Sequence, residues 1–120
     1  VKELSLSLMI RNGDFSELMA RNITLKYAKN KDVVVCASDL MAIGAMKALT
    51  DMDIFRPVCG FDGIILMGYV GKQMNTVSQD FAGISERAVE ELELLMNGEM
   101  GRNVRMPHTL VRMRYEDIIR

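Results

Sequence analysis

The hydrophobic positions of this chain change period several times, and each change marks an element. Leu4, Leu6, Leu8 and Ile10 fall on one side of an alternating run that ends at the turn signal Asn12-Gly13-Asp14, which predicts a strand and then a loop. Ser16 to Asn30 is helix-compatible, with Leu18, Met19, Ile23 and Tyr27 near the 3.6-residue period and Ser16 at the N-cap. Val33 to Cys36 is apolar without alternation, as in a parallel strand covered on both faces. Leu40 to Met52 reads as a helix that is apolar nearly all round, so it needs cover on more than its sheet side. A short strand is predicted at Arg56 to Gly60, ending at Phe61-Asp62-Gly63. The apolar run Ile64 to Tyr69 is too short for an ordinary helix and leads through Gly71 to a fourth strand near Asn75 to Ser78. The last long helix spans Asp80 to Asn97, with Phe81, Ala88, Leu92 and Leu95 on one face, Glu86, Arg87, Glu90, Glu91 and Glu93 outside it, and Asn97-Gly98 as its stop.

The order strand, helix, strand, helix, strand, strand, helix predicts an α/β fold: a doubly wound, mostly parallel sheet with flanking helices. Ligands of such sheets bind beyond the carboxyl ends of the strands. Asp14, Asp39, Asp62 and Asp80 each follow a strand-like run within a few residues, so parallel strands would gather these acids along one edge.

Composition narrows the function. The chain has 120 residues, 49% hydrophobic and 26% charged, enough for one packed core and too hydrophobic for disorder. Fifteen Lys and Arg against sixteen Asp and Glu leave a formal charge of -1 and no basic block to cover phosphates, so direct DNA binding is not expected. The longest uncharged apolar stretch, Gly63 to Gly71, is far short of the roughly 20 residues that cross a bilayer, and no secretory signal is legible, which makes the cytoplasm the expected compartment. Cys36 and Cys59 lie in apolar runs and read as reduced core residues. The eleven Met residues read as flexible packing, and His108 has no Cys or His partner at metal-ligand spacing, so neither metal nor cofactor is expected.

A polyhydroxylated or nucleobase-like ligand needs fixed acceptors for its hydroxyl or amino hydrogens and a flat apolar surface against its ring. Asp62, between Phe61 and Gly63, is the foremost acceptor, with a plain Asp-Gly turn as the alternative. Phe15 either stacks on a ligand or packs in a core. Of Ser38 and Asp39 one caps the following helix; Asp39 is the favoured cap and Ser38 the candidate contact. Asp80 and Phe81 read as a cap and a core residue, or as ligand contacts. No nucleophile beside a base, no paired carboxylates and no phosphate loop is legible, so an enzyme is not expected.

The run Ala37-Ser38-Asp39-Leu40-Met41-Ala42-Ile43-Gly44-Ala45-Met46-Lys47-Ala48-Leu49 resembles (A/N)-N-D-x-M-A-x-G-A-x-x-A-L of the lactose-repressor/galactose-repressor (LacI/GalR) family of transcriptional regulators. Cys59-Gly60-Phe61-Asp62 is similar to that family's V-G-(F/Y)-D, Asn75-Thr76-Val77-Ser78-Gln79 to T-T-(I/V)-x-Q, and Gly13-Asp14-Phe15-Ser16 to G-D-(F/W)-S. Pro107-His108-Thr109-Leu110-Val111-Arg112 is similar to P-x-x-L-V-x-R with one residue fewer before Arg. The motifs keep the family's order and spacing over essentially the whole chain.

The resemblance implies the C-terminal part of an effector-binding and dimerisation domain with a type I periplasmic-binding-protein-like fold, the DNA-binding head being absent from this chain. Residues 1–78 and about 108–120 would form the C-terminal lobe, and about 79–107 would pack on a second lobe. Phe15, Ser38, Asp62 and Phe81 would contact a small effector, although Ser38 stands where the family often has Asn and so reaches less far. Ile43, Ile64, Met67 and Val70 would belong to a homodimer face. Without a second lobe, the Phe81, Ala88, Leu92 and Leu95 face would be covered by refolding the helix onto its own sheet or by swapping it with a neighbour. The sugar-binding component of a transporter, which shares the fold, is the alternative.

Overall fold

In a computed structural model, residues 6–64 and 75–111 are described. The chain forms two compact units, Val1–Gly60 and Phe61–Arg120.

In the first unit a tight turn feeds a helix. Asp14 and Phe15 both have left-handed backbone, with φ of 54° and 51°. The Asp14 N–H donates to Asn12 Oδ1 at 2.9 Å, and the Ser16 N–H donates to the Gly13 carbonyl at 2.9 Å. Helix α1, Glu17–Tyr27, is capped by Ser16, whose hydroxyl oxygen accepts the Met19 N–H at 3.2 Å. Glu17 in its first turn and Lys26 in its last complement the helix dipole. A 3-10 turn, Ala28–Asn30, ends the helix. Strand β1, Val34–Val35, helix α2, Asp39–Asp51, and strand β2, Val58–Cys59, then make a β-α-β unit with parallel register Val34↔Val58 and Val35↔Cys59. Arg56 braces the entry to β2: its guanidinium donates to the carbonyls of Lys31, Lys29 and Phe55.

The core of this unit lies between α1 and α2. Met41, Ala42, Ile43, Ala45, Ala48 and Leu49 of α2 are buried, so most of that helix is covered, as its all-round apolar sequence requires. The buried stripe of α1 and its extension is Ala20, Thr24 and Ala28, spaced four apart, and not the predicted face of Leu18, Met19, Ile23 and Tyr27. Leu18 and Met19 are exposed, and Ile23 and Tyr27 half-buried. The physical reason is the separation of the helices. A Cβ placed on Gly44 would lie 2.2 Å from the Glu17 carbonyl oxygen and 3.2 Å from the Arg21 nitrogen, so α2 passes against the backbone of α1. Only small side chains fit at that distance. Salt bridges Arg21–Asp51 and Lys47–Glu17 flank the contact, and at their exposure each contributes about 0–1 kcal/mol.

Two strand expectations change. Leu6, Leu8, Met9 and Ile10 are exposed and make no ladder among the described residues, so the predicted Leu4 to Ile10 strand is not formed over them; Leu4 lies outside the described residues. A strand needs a neighbour to take its backbone N–H and C=O groups, and alternation alone provides none. β1 is not covered on both faces either: Val35 is 77% exposed, and the apolar run reflects one half-covered face at Val34 and Cys36.

In the second unit β3, Thr76–Gln79, pairs antiparallel with β4, His108–Val111, in the register Thr76↔Val111 to Gln79↔His108. Neither β4 nor an antiparallel pair was expected from the sequence. Asp62 adds a parallel bridge to Ser78. Helix α3, Phe81–Met96, starts at Asp80, whose carboxylate accepts the Gly83 N–H at 3.0 Å. It ends where Gly98, at φ 77°, lets the Gly98 and Glu99 N–H groups reach the carbonyls of Leu95 and Leu94. Glu91 pairs with Arg87 and accepts the Arg102 N–H at 2.7 Å, which ties the following segment back along the helix. No residue of α3 is buried, so refolding of its apolar face onto the unit's own sheet does not occur. Among the described residues no helix is long and apolar enough to cross a membrane.

The contact at Gly44 has a definite sign. An Ala in mid-helix ordinarily stabilises by roughly 0.5–1 kcal/mol over Gly, but here the added methyl meets backbone that cannot move aside. Gly44→Ala is expected to lower stability by about 1–3 kcal/mol in urea unfolding. A gain in stability would show that the two helices are not in this close contact.

Candidate functional site

The expected contacts of the first unit are held by local backbone structure. Phe15 is 69% exposed in the left-handed turn before α1, so it is no core residue, and its ring is open to a partner. Ser38 is buried and caps α2: its backbone is extended (φ -146°, ψ 158°) and its hydroxyl oxygen accepts the Met41 N–H at 3.3 Å. The expected assignment of the cap to Asp39 is thereby corrected. Asp39 is the first helical residue and is fully buried. A Cβ on Gly60 would lie 2.3 Å from Asp39 Oδ1, so the glycine after β2 makes room for that carboxylate. Ser38 keeps its O–H for donation, which is what capping leaves it for a ligand. Ile43, expected on a dimer face, is 5% exposed within its own unit, which leaves little side chain for a second copy.

The second unit holds a more developed arrangement around Asp62. Its N–H donates to the Val77 carbonyl at 3.0 Å, and its carbonyl accepts the Gln79 N–H at 3.0 Å. Its carboxylate Oδ1 accepts from the Gln79 side-chain amide at 2.9 Å. These bonds keep Asp62 at φ 124°, a region L-residues rarely adopt and which costs of order 1–3 kcal/mol. Gly63 follows at φ 73°, and a Cβ there would stand 2.5–2.6 Å from Ser78 atoms, so no other residue fits. Asp62-Gly63 is therefore more than a turn: it locks the chain after β2 onto β3.

Beside this lock, Phe61, Val77, Gln79, Ile84, Met106, Pro107 and His108 line an open cleft of about 380 Å³. Phe61 is 41% exposed and Phe81 48% exposed, so Phe81 is not the core residue that one reading of the sequence gave it. Asp80 is the cap that the same reading expected. Gln79 and His108, cross-strand partners, supply the polar edge of the cleft. Sequence reasoning gave them no role; the signal was the end of the Thr76-Val77-Ser78-Gln79 run directly before a helix cap. Of the expected dimer residues here, Ile64 is half-buried, and Met67 and Val70 lie outside the described residues. Among the described residues no group of three His, Cys, Asp or Glu could hold a metal ion.

No family model matches the chain. The HTH-type transcriptional regulator MalR of Clostridium butyricum is 33% identical over 91 residues, covering 70% of this chain and 27% of that protein. The crystal structure of a LacI family transcriptional regulator from Arthrobacter, in complex with lactose, superposes with a TM-score of 0.81 at 26% identity, over 93% of this chain and 45% of that one. A periplasmic solute-binding protein of an ABC transporter from Actinobacillus succinogenes, with bound D-allose, superposes with a TM-score of 0.74 at 24% identity, over 83% of this chain and 38% of that one. The chain thus spans less than half the length of the relatives it matches. Its fold is periplasmic-binding-protein-like, present in part.

Cys36 and Cys59, at the ends of β1 and β2, are free and half-buried. Burial, with the neighbouring Cys59 thiol adding to it, pushes the Cys36 thiol up from 9.0 to about 11. The folded state disfavours its thiolate, so the associated stability is complete below pH 9 and declines as the pH rises toward 11. Alkylation of Cys36 by iodoacetamide, followed by peptide mass spectrometry, should be slow at pH 8 and climb up to about pH 11. Fast labelling of Cys36 at pH 8 in the folded protein would contradict this environment.

Proposed function

The chain belongs to the lactose-repressor/galactose-repressor (LacI/GalR) family of transcriptional regulators, and we propose that it is the ligand-sensing and dimerisation part of such a regulator, binding a small sugar whose occupancy controls operator binding by a head outside this chain. The observation that carries the reading is Asp62: a half-buried carboxylate held in a strained backbone at the end of a strand-like run, next to an exposed Phe61. Strain of this kind persists where the surrounding structure over-determines it, and it concentrates at ligand sites. Asp62 accepts ligand hydroxyls, Phe15 and Phe81 offer ring faces, and Ser38 donates a hydrogen bond. The sugar class is supported by lactose in the Arthrobacter regulator and D-allose in the solute-binding protein. The protein is not an enzyme, and its compartment is the cytoplasm.

The mechanism is a population shift. A sugar that binds one arrangement of the parent protein better than another moves the dimer between DNA-competent and DNA-incompetent states, and cannot move it further than that difference in affinity allows. Ile64, Met67 and Val70 contribute to the dimer face. The transporter reading is separated by the gene upstream of Val1: a helix-turn-helix supports the regulator, a signal peptide the transporter.

Titration calorimetry of the full-length protein against pentoses, hexoses, disaccharides and purines tests the site. Asp62→Ala should weaken binding by about 1–3 kcal/mol, because it removes an acceptor and strands the ligand's donors. Unchanged affinity removes Asp62 from the site.

The isolated chain has a second expected behaviour. With no residue of α3 buried, two copies exchange that helix, and the chain sediments as a dimer at micromolar concentration. Leu92→Glu, on the exposed apolar face, should give monomers. A wild-type chain that is monomeric with an ordered α3 would rule the exchange out.

A further inference from the structure

Asp62 is gripped twice by one residue. The backbone N–H of Gln79 donates to the Asp62 carbonyl at 3.0 Å, and the Gln79 side chain reaches the Asp62 carboxylate Oδ1 at 2.9 Å. A carboxylate only accepts, so the Gln79 atom facing it is the amide nitrogen and the orientation of that amide is fixed. Gln79 is itself fixed on both sides. It is the last residue of β3, opposite His108 of β4, and it directly precedes Asp80, which caps α3.

From this geometry we infer that Gln79 is a positioning residue for effector binding: it holds one oxygen of the Asp62 carboxylate so that the other is presented to a ligand hydroxyl in a single orientation. The inference rests on the assignment of Asp62 to the sugar site. A carboxylate on a short stem can turn about two side-chain bonds, and a ligand must otherwise stop that turning when it binds. The Gln79 amide stops it beforehand, and the same residue borders the cleft beside Phe61. Gln79 thereby acts on affinity through Asp62 without being required to touch the sugar.

The test is a double-mutant cycle in the full-length protein, titrated with a sugar panel that includes lactose and D-allose. Gln79→Leu should weaken the sugar that binds the wild type by about tenfold, the loss of one hydrogen bond to a charged group. In an Asp62→Ala background the same substitution should change nothing further, because its effect runs through the missing carboxylate. Gln79→Glu, equal in size but facing Asp62 with a second carboxylate, should lose at least as much as Leu. Thermal unfolding is followed throughout; where the Leu variant does not fold, Gln79→Asn, too short to reach Asp62, carries the cycle. Losses at Gln79 and Asp62 that add overturn the inference and leave the Asp62 site intact, as does wild-type affinity in Gln79→Leu. An unaltered affinity in Asp62→Ala, or a panel in which nothing binds the wild type, overturns the site assignment and this inference with it.

Discussion

Strands of two residues make too few ladder hydrogen bonds to hold a sheet, so this chain depends on what braces the ends of its strands. β1 and β2 are each two residues long, and β3 and β4 each four. At those ends stand groups with little freedom. Arg56 is bonded to three backbone carbonyls before β2. Ser38 caps α2 shortly after β1, and Asp80 caps α3 directly after β3. Asp62 is locked onto Val77 and Gln79. Each brace satisfies backbone groups that a longer sheet would satisfy by pairing. Two of these braces, Ser38 and Asp62, are also candidate ligand contacts, because a side chain placed at a strand end is held by the fold on both sides.

The largest stabilising contribution in the first unit comes from close packing. The stripe Ala20, Thr24 and Ala28 lets α2 approach until Gly44 meets the α1 backbone, and the buried Met41, Ile43 and Leu49 fill the space around that contact. Fully burying a large aliphatic side chain contributes about 1.5–3 kcal/mol, so these three outweigh the two exposed ion pairs that cross the same helices. The charges trim the orientation of α1 on α2; the small residues set the distance.

Much of this was legible in the sequence, and the parts that were not share a cause. α1 and α3 stand where the cap residues Ser16, Asp80 and Asn97 place them, and α2 stands where its apolar run places it with its cap one residue earlier, at Ser38, because caps and apolar runs are local properties of the chain. What failed depended on a neighbour. Leu6 to Ile10 alternates well but has no ladder among the described residues. β4 carries no pattern of its own and exists through its pairing with β3. The buried face of α1 carries its small residues and not its large apolar ones, since the close approach at Gly44 selects for size and not for hydrophobicity. In the site, Asp62 was visible from Phe61-Asp62-Gly63, whereas Gln79 becomes meaningful only once the Asp62 backbone is seen bonded to β3.

The magnitudes around Asp62 explain why such a residue is an expensive way to make a turn. Its backbone conformation costs of order 1–3 kcal/mol, and a typical hydrogen bond returns a net ~1 kcal/mol. Two backbone bonds and one side-chain bond can therefore about balance the strain, with little left over for stability. A second Gly would occupy the same backbone with less strain and keep both main-chain bonds. What it could not supply is an anionic acceptor at that point on the strand end. The carboxylate is thus the one feature of Asp62 that the backbone bonds do not account for.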